Sequence, residues 1–305
     1  MSGTPPPPAP DARYAELIAR EAEHWGRATQ DPANPQLWDD PVLYRLVLAG
    51  PFEHLLSRAV ATGGPVLELG CGDGDLSLEL ARRGVEATGL DMSPVRIERA
   101  RDEARRAGLE SRARYDVADL NTCALPASRY ACVVAHDALH HILHIEPLLD
   151  RVREALRPGG TLIVSDFIGA SRLEKLLAAA AGALLPTVQS YAAKWRLRGR
   201  LLAILASERE KRAAFESGGA EGLHDASPFE AITQGSIVPA IAARFEIVET
   251  FTFCPYWYHV VPKLLLPLGL KRAWIAAAQR IDGPLNRRGW TKGSYVYVEA
   301  RRAAS

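Results

Sequence analysis

The amino-acid sequence predicts a doubly wound α/β fold: a mostly parallel sheet with helices on both faces. Three observations carry that prediction. Strand-like and amphipathic segments alternate from Pro65 to Asp166. Val66-Leu67-Glu68-Leu69 runs directly into the glycine-rich turn Gly70–Asp75, and a helical pattern starts at about Leu76. Ala131–Ala135 is apolar throughout, as a parallel strand buried on both sides should be.

In chain order, residues 1–12 (MSGTPPPPAPDA) read as a disordered Pro-rich tail. Residues 13–62 read as a helical cover, with helices over about Arg13–Ala28 and Pro41–Thr62 around a loop bearing Trp38. Trp38 or Tyr44 is placed to close over a ligand, or simply to pack on the core. The core, residues 63–170, holds strands at Val66–Leu69, Val85–Leu90, Ala113–Ala118, Ala131–Ala135 and Thr161–Asp166. Its second helix is expected to start with Ser93 as N-cap and Pro94 at the first helical position. Another helix, about Glu146–Leu156, leads through the turn Pro158-Gly159-Gly160 into strand five. Residues 171–227 break the alternation with two or three helices and a glycine-rich loop, and read as a lid inserted between strands five and six. Residues 228–305 return to the core: a helix at about Pro228–Ala243, strand six at Phe245–Phe253, a helical stretch between Lys263 and Ile281, and a final strand at Ser294–Ala300. That makes seven strands.

Composition narrows the function. A net charge of +1 and an apolar fraction of 48% describe a globular chain with no global field for nucleic acid or a membrane. The four cysteines have no CxxC spacing, so we expect reduced thiols, no zinc site and a cytoplasmic protein without a leader peptide. The apolar run Leu176–Leu185 stops at Pro186, well short of a bilayer span.

Ligands of an open parallel sheet sit beyond the carboxyl ends of its strands, and four of those ends carry glycine or polar residues: Gly70–Gly74, Asp91, Asp119 and His136-Asp137. An acid after strand two suits ribose hydroxyls, and one after strand three suits an adenine amine. A dinucleotide would ask for a third glycine where Asp75 stands. Acids at 73 and 75 repel a pyrophosphate and favour a cation.

These residues resemble the class I S-adenosylmethionine-dependent methyltransferases. The resemblance rests on VLELGCGDG at 66–74, GLDMSP at 89–94, VADL at 117–120, VVAHDALHHI at 133–142 and LRPGGTLIVSD at 156–166, all in order and register. It implies a last strand inserted antiparallel beside strand six, and S-adenosylmethionine as cofactor. It further implies Glu68, Gly70, Cys71 and Gly72 at the methionine end, Asp91 on the ribose, Met92 against adenine, Asp119 and the Leu120 backbone at the adenine edge, and His136 near the methionine moiety.

Methyl transfer to a hydroxyl requires a general base, which suits His140 or His141. The spacing of His136, His140 and His144 suggests a metal triad, but His136 belongs on a strand, so no metal is expected. The basic run Lys194, Arg196, Arg198 and Arg200 reads as a solvated face, or as contact with an acidic or lipid-linked acceptor. The aromatic stretch Phe251–His259 reads as pocket wall or core. No Asn/Asp-Pro-Pro-aromatic signature of nucleic-acid base methylation is present, so a small-molecule acceptor is expected, methylated on oxygen. Two alternatives stand beside it: a cofactor-binding cyclase or decarboxylase, and a non-catalytic cofactor-binding partner.

Overall fold

The computed structural model describes residues 12–27, 36–196, 233–288 and 291–303. Seven strands form one sheet in the order β3-β2-β1-β4-β5-β7-β6. Strands β1 (Val66–Leu69), β2 (Ala87–Asp91), β3 (Ala113–Val117), β4 (Tyr130–His136) and β5 (Leu156–Phe167) are mutually parallel. β7 (Gly293–Arg301) lies antiparallel between β5 and β6 (Glu246–Pro255), as the resemblance implies.

Period-two alternation along the central strands divides the core into two layers. Leu67, Leu69, Val133, Ala135, Leu162 and Val164 face α6 (Ile145–Ala155), through Leu148, Leu149 and Val152. The intervening Val66, Cys132, Val134 and Ile163 face α3 (Ala49–Ala61) and α4 (Asp75–Arg82), through Leu55, Leu56, Leu76 and Leu80. Each of these side chains is fully or almost fully buried, a gain of about 1.5–3 kcal/mol for each Val, Leu and Ile before entropy is counted. A third cluster joins α2 (Pro41–Val47) to the C-terminal elements through Leu43, Val47, Tyr258, Val261 and Ile275. Arg58 on α3 ties the helix to β7 with two 2.6 Å bonds to the buried Glu299.

Several expected boundaries shift. The first helix, α1, spans Ala12–Arg27. The second cover helix is two helices broken at Leu48, because Pro51 has no N–H for the Val47 carbonyl and its ring crowds that turn. Strand five starts earlier than the Pro158-Gly159-Gly160 turn, at Leu156, with a register irregularity against β4 between Tyr130 and Cys132. Ser93 does precede α5 (Pro94–Arg106), but its side chain makes no capping bond; the residue's N–H is held by Asp91 instead. Of the expected helix at 228–243, the described residues contain Ile237–Ala242 (α9).

Helices α7 (Arg172–Leu184) and α8 (Tyr191–Arg196) belong to the expected lid, whose residues 197–227 lie outside the described ones. So do the tail at 1–11, the side chains of Trp38 and Arg196, and Arg198 and Arg200. Lys194 donates to the Leu185 carbonyl and lies over the Tyr191 ring, 4.5 Å from its centroid. The chain continues after β6 with a 3-10 turn, Tyr256–Lys263, and the helix α10 (Leu268–Arg287). Among the described residues, no helix is long and apolar enough to cross a membrane.

Candidate active site

A cleft of about 660 Å³ runs along the carboxyl edge of the sheet. Its lining contains each residue that the sequence nominated: Glu68, Gly70, Cys71, Gly72, Asp91, Met92, Asp119, Leu120, His136, His140 and His141. Tyr44 lines it as well.

The turn after β1 holds its shape because Gly70 and Gly74 adopt φ of +70° and +87°. A side chain there would strain the backbone, and a Cβ would come within 2.5 Å of Ala138 Cβ and 2.7 Å of Ala100 Cβ respectively. Four of the turn's N–H groups, however, are turned inward instead of toward a ligand. The N–H groups of Gly70 and Cys71 both donate to the Leu90 carbonyl, that of Gly72 to Asp91, and that of Gly74 to the Cys71 carbonyl. What these four residues retain for a ligand is carbonyl oxygen. The Cys71 side chain packs into the core beside Gly89, so only its backbone is available to the cleft.

The acids differ in their engagement. Asp91 grips two backbone N–H groups, Gly72 at 2.9 Å and Ser93 at 2.8 Å, one on each oxygen, and each oxygen has a second lone pair. Asp119 is saturated. One oxygen accepts from the Asn121 N–H and side-chain amide, the other from the Tyr14 hydroxyl at 2.7 Å and the Thr122 hydroxyl at 3.0 Å. Glu68 is buried and takes both the N–H and the hydroxyl of Ser77. Burial outweighs those bonds and pushes its carboxyl up to about 8.

Beyond β4 and β5 the lining changes character. His140 is buried, and its Nδ1 lies 2.6 Å from Asp166, at the end of β5. Burial of Asp166 opposes its charge, but His140 and the N–H groups of Leu139 and Ala138 prevail and hold it below the usual carboxylate value. His141 points elsewhere: its Nδ1 is 3.2 Å from Glu21 of α1, and its ring meets Trp25 edge-on. The His136 Nδ1 and the Ser165 hydroxyl, on paired positions of β4 and β5, line the cleft and are buried without a hydrogen-bond partner. Orphaned polar atoms in a cleft are what a ligand seat leaves behind.

The three histidines whose spacing suggested a metal triad, His136, His140 and His144, lie on separate elements. His136 ends β4, His140 lies in the 3-10 turn Leu139–His141, and His144 precedes α6. Among the described residues, the side chains that gather ligand atoms within 4.8 Å of one another are Asp137, His140 and Asp166. Asp166 is already engaged with His140 and three N–H groups. That favours a fixed His–Asp pair over a metal seat.

Sequence reasoning missed Asp166 and Ser165, although both close the quoted motif LRPGGTLIVSD; a polar pair ending an apolar strand was the available signal. It also missed Tyr14, Glu21 and Trp25. They lie on a helix remote in sequence, and only tertiary packing brings that helix over the cleft.

The family profile described as "Methyltransferase domain" matches residues 66–160. The 27-O-demethylrifamycin SV methyltransferase of Amycolatopsis mediterranei (strain S699) is 32% identical over 107 residues, 35% of this chain and 39% of its own length. A ubiquinone biosynthesis O-methyltransferase of Xylella fastidiosa (strain 9a5c) is 30% identical over 113 residues, 37% of this chain and 46% of its own. The chain thus spans less than half the length of these curated relatives. A geranyl diphosphate C-methyltransferase from Streptomyces coelicolor A3(2), solved with S-adenosyl-L-homocysteine, superposes with a TM-score of 0.55 over 97% of this chain and 100% of its own, at 14% identity. Residues 66–160 are a methyltransferase domain, and the sheet built around them has the class I S-adenosylmethionine-dependent methyltransferase fold.

Proposed function

We propose that the protein transfers a methyl group from S-adenosylmethionine to a hydroxyl of a small molecule, with His140 as general base. The observation that carries this reading is the composition of one cleft: acids and carbonyls at the ends of β1–β3, and a buried His–Asp pair across β4 and β5. The names of the rifamycin and ubiquinone relatives, both O-methyltransferases, support oxygen as the acceptor atom.

When bound, the cofactor supplies a methyl group already activated on a sulfonium. The chain supplies orientation, a proton acceptor and a dry chamber. Asp91 takes the ribose hydroxyls on its remaining lone pairs, and Glu68 with the Gly70 carbonyl receives the ammonium. Asp166 fixes the His140 ring through Nδ1, so the opposite nitrogen, Nε2, takes the acceptor's O–H proton as oxygen attacks. Met92 and Leu120 flank the adenine. His141 supports the closed position of α1 through Glu21.

Incubation with methyl-labelled S-adenosylmethionine and a panel of hydroxylated aromatic compounds tests this reading by mass spectrometry. Label on a product oxygen supports it. Turnover of the panel without label transfer favours a non-methylating enzyme, and cofactor binding with no turnover favours a binding partner.

Two further outcomes are expected. Glu68 is mostly protonated at neutral pH, and an ammonium placed beside it favours the ionised form. Cofactor binding therefore releases a proton, and affinity for S-adenosylhomocysteine rises with pH from about 5 to about 8, then levels. Calorimetry in buffers of different ionisation enthalpy reads that proton directly, and a Glu68→Gln variant loses the dependence. Tyr14 occupies a lone pair of Asp119 that an adenine amine needs. Tyr14→Phe is expected to tighten S-adenosylhomocysteine binding by about fivefold, the worth of one hydrogen bond of about 1 kcal/mol; unchanged or weaker binding in a titration contradicts the competition.

A further inference from the structure

We infer that the acceptor carries an anionic group, a carboxylate, phosphate or sulfonate, received by Lys263 at the β6 end of the cleft; this rests on the methyltransferase reading of the same site.

Charge is segregated along the cleft. The acids Glu68, Asp73, Asp75, Asp91 and Asp119 lie at the β1–β3 end, where Arg96 is the matching cation and lies 3.6 Å from Asp73; Asp137 and Glu21 line the middle, 3.9 Å from His140 and 3.2 Å from His141. Past His140 the wall becomes aromatic. Phe167 meets the His140 ring at 5.9 Å and Tyr295 at 5.5 Å, Tyr295 stacks on Phe253, and His259 closes the row against Tyr295. Lys263 stands at the end of that row, at the last position of the 3-10 turn after β6. Among the described residues, no carboxylate lies within 4.0 Å of its ammonium, in contrast to Arg58, Arg83, Arg96 and Arg244, each paired.

The neighbouring histidine does not supply the missing charge. The Ser294 hydroxyl donates to the Cys254 carbonyl at 2.6 Å, so its oxygen accepts from His259 Nε2–H at 3.1 Å. Burial, and next the charge of Lys263, pull His259 down to about 4, which keeps the ring neutral at physiological pH. Burial likewise pulls the Lys263 ammonium below its ordinary value. A cation set in an aromatic chamber without a counter-ion is poorly solvated, and a ligand anion repairs that. The length of such an acceptor follows from the sheet. Asp166, which holds His140, is on β5, and Lys263 follows β6, two strands away. With strands about 4.8 Å apart and a lysine side chain reaching back, hydroxyl and anion are separated by on the order of 5–10 Å.

The test uses the full chain saturated with S-adenosylhomocysteine and two fluorescent probes of one shape, 1-anilinonaphthalene-8-sulfonate and the neutral N-phenyl-1-naphthylamine. The sulfonate is expected to bind at least about tenfold more tightly than the neutral probe. Lys263→Met is expected to abolish that ratio with S-adenosylhomocysteine affinity unchanged, and Lys263→Arg to keep it within about threefold. Equal binding of the two probes, no binding of the sulfonate, or an unchanged ratio in Lys263→Met overturns the inference. So does a loss of S-adenosylhomocysteine affinity in Lys263→Met, which would assign the ammonium to the cofactor. Failure of the wild-type chain to bind S-adenosylhomocysteine at all would instead count against the methyltransferase reading, and the probe ratio on the free chain would still report on Lys263.

Discussion

Asp91→Ala is expected to weaken S-adenosylhomocysteine binding by about 30- to 1,000-fold, the effect of losing roughly 2–4 kcal/mol. The size comes from two losses at once. The carboxylate would bond the ribose, and it also holds the Gly72 and Ser93 N–H groups, so it fixes the turn after β1 and the entry to α5. Truncation removes the ribose acceptor and leaves two N–H groups to find water. Asp91→Asn separates the parts: its single carbonyl oxygen can keep one of the N–H bonds but not both, and intermediate affinity is expected. Thermal unfolding of both variants without ligand reports the structural share. Wild-type affinity in Asp91→Ala would remove Asp91 from the cofactor seat.

The second large effect is on turnover. His140→Ala is expected to lower kcat by about 10²–10⁴ with any hydroxyl acceptor, with little change in S-adenosylhomocysteine affinity. Asp166→Asn should approach that loss through a different route. An asparagine amide can donate to Nδ1, which places the proton on Nε2, the atom that must accept one. The pH profile distinguishes base chemistry from packing. In the wild type, kcat/KM climbs as His140 loses its proton. In Asp166→Asn the residual activity should lose that limb, whereas a purely structural Asp166 would lower activity equally at all pH values. Asp166 also accepts from Ala138, Leu139 and Phe167, so the acid stability of the fold is linked to it. Its carboxyl lies below the unfolded value of about 3.9, so that contribution is present above this value and fades as pH falls through the lower, folded one.

The core of the fold was legible because its elements are local. β1, the glycine turn and α4 are contiguous in sequence, and the apolar run of β4 and the acid at the end of β2 mark the sheet edge without further information. The residues lining the cleft at β1–β3 were legible for the same reason, since strand order alone brings consecutive strand ends together. The direction of the hydrogen bonds in the turn was not legible. Whether a glycine N–H faces a ligand or the Leu90 carbonyl depends on how β2 passes beneath it. Nor was the α1 contact: Tyr14 and Asp119 are 105 residues apart, and no periodicity links them. The histidine pair shows both sides. The sequence placed His140 and His141 after strand four, but only the end of β5 and the face of α1 separate a buried, carboxylate-held imidazole from one resting against Glu21 and Trp25.

The glycine turn started as a seat for a nucleotide of unspecified kind, and its bonding pattern now argues for a cation. The N–H groups of Gly70, Cys71, Gly72 and Gly74 are engaged within the protein, and Glu68, the side chains of Asp73 and Asp75 and the carbonyls line the cleft there. The measurement that tests this most directly is a calorimetric titration of the wild-type chain with S-adenosylhomocysteine, with NAD as the control ligand. One-to-one binding of S-adenosylhomocysteine, with no heat from NAD, is the predicted result. Saturable binding of NAD at this cleft, with S-adenosylhomocysteine silent, would contradict the account.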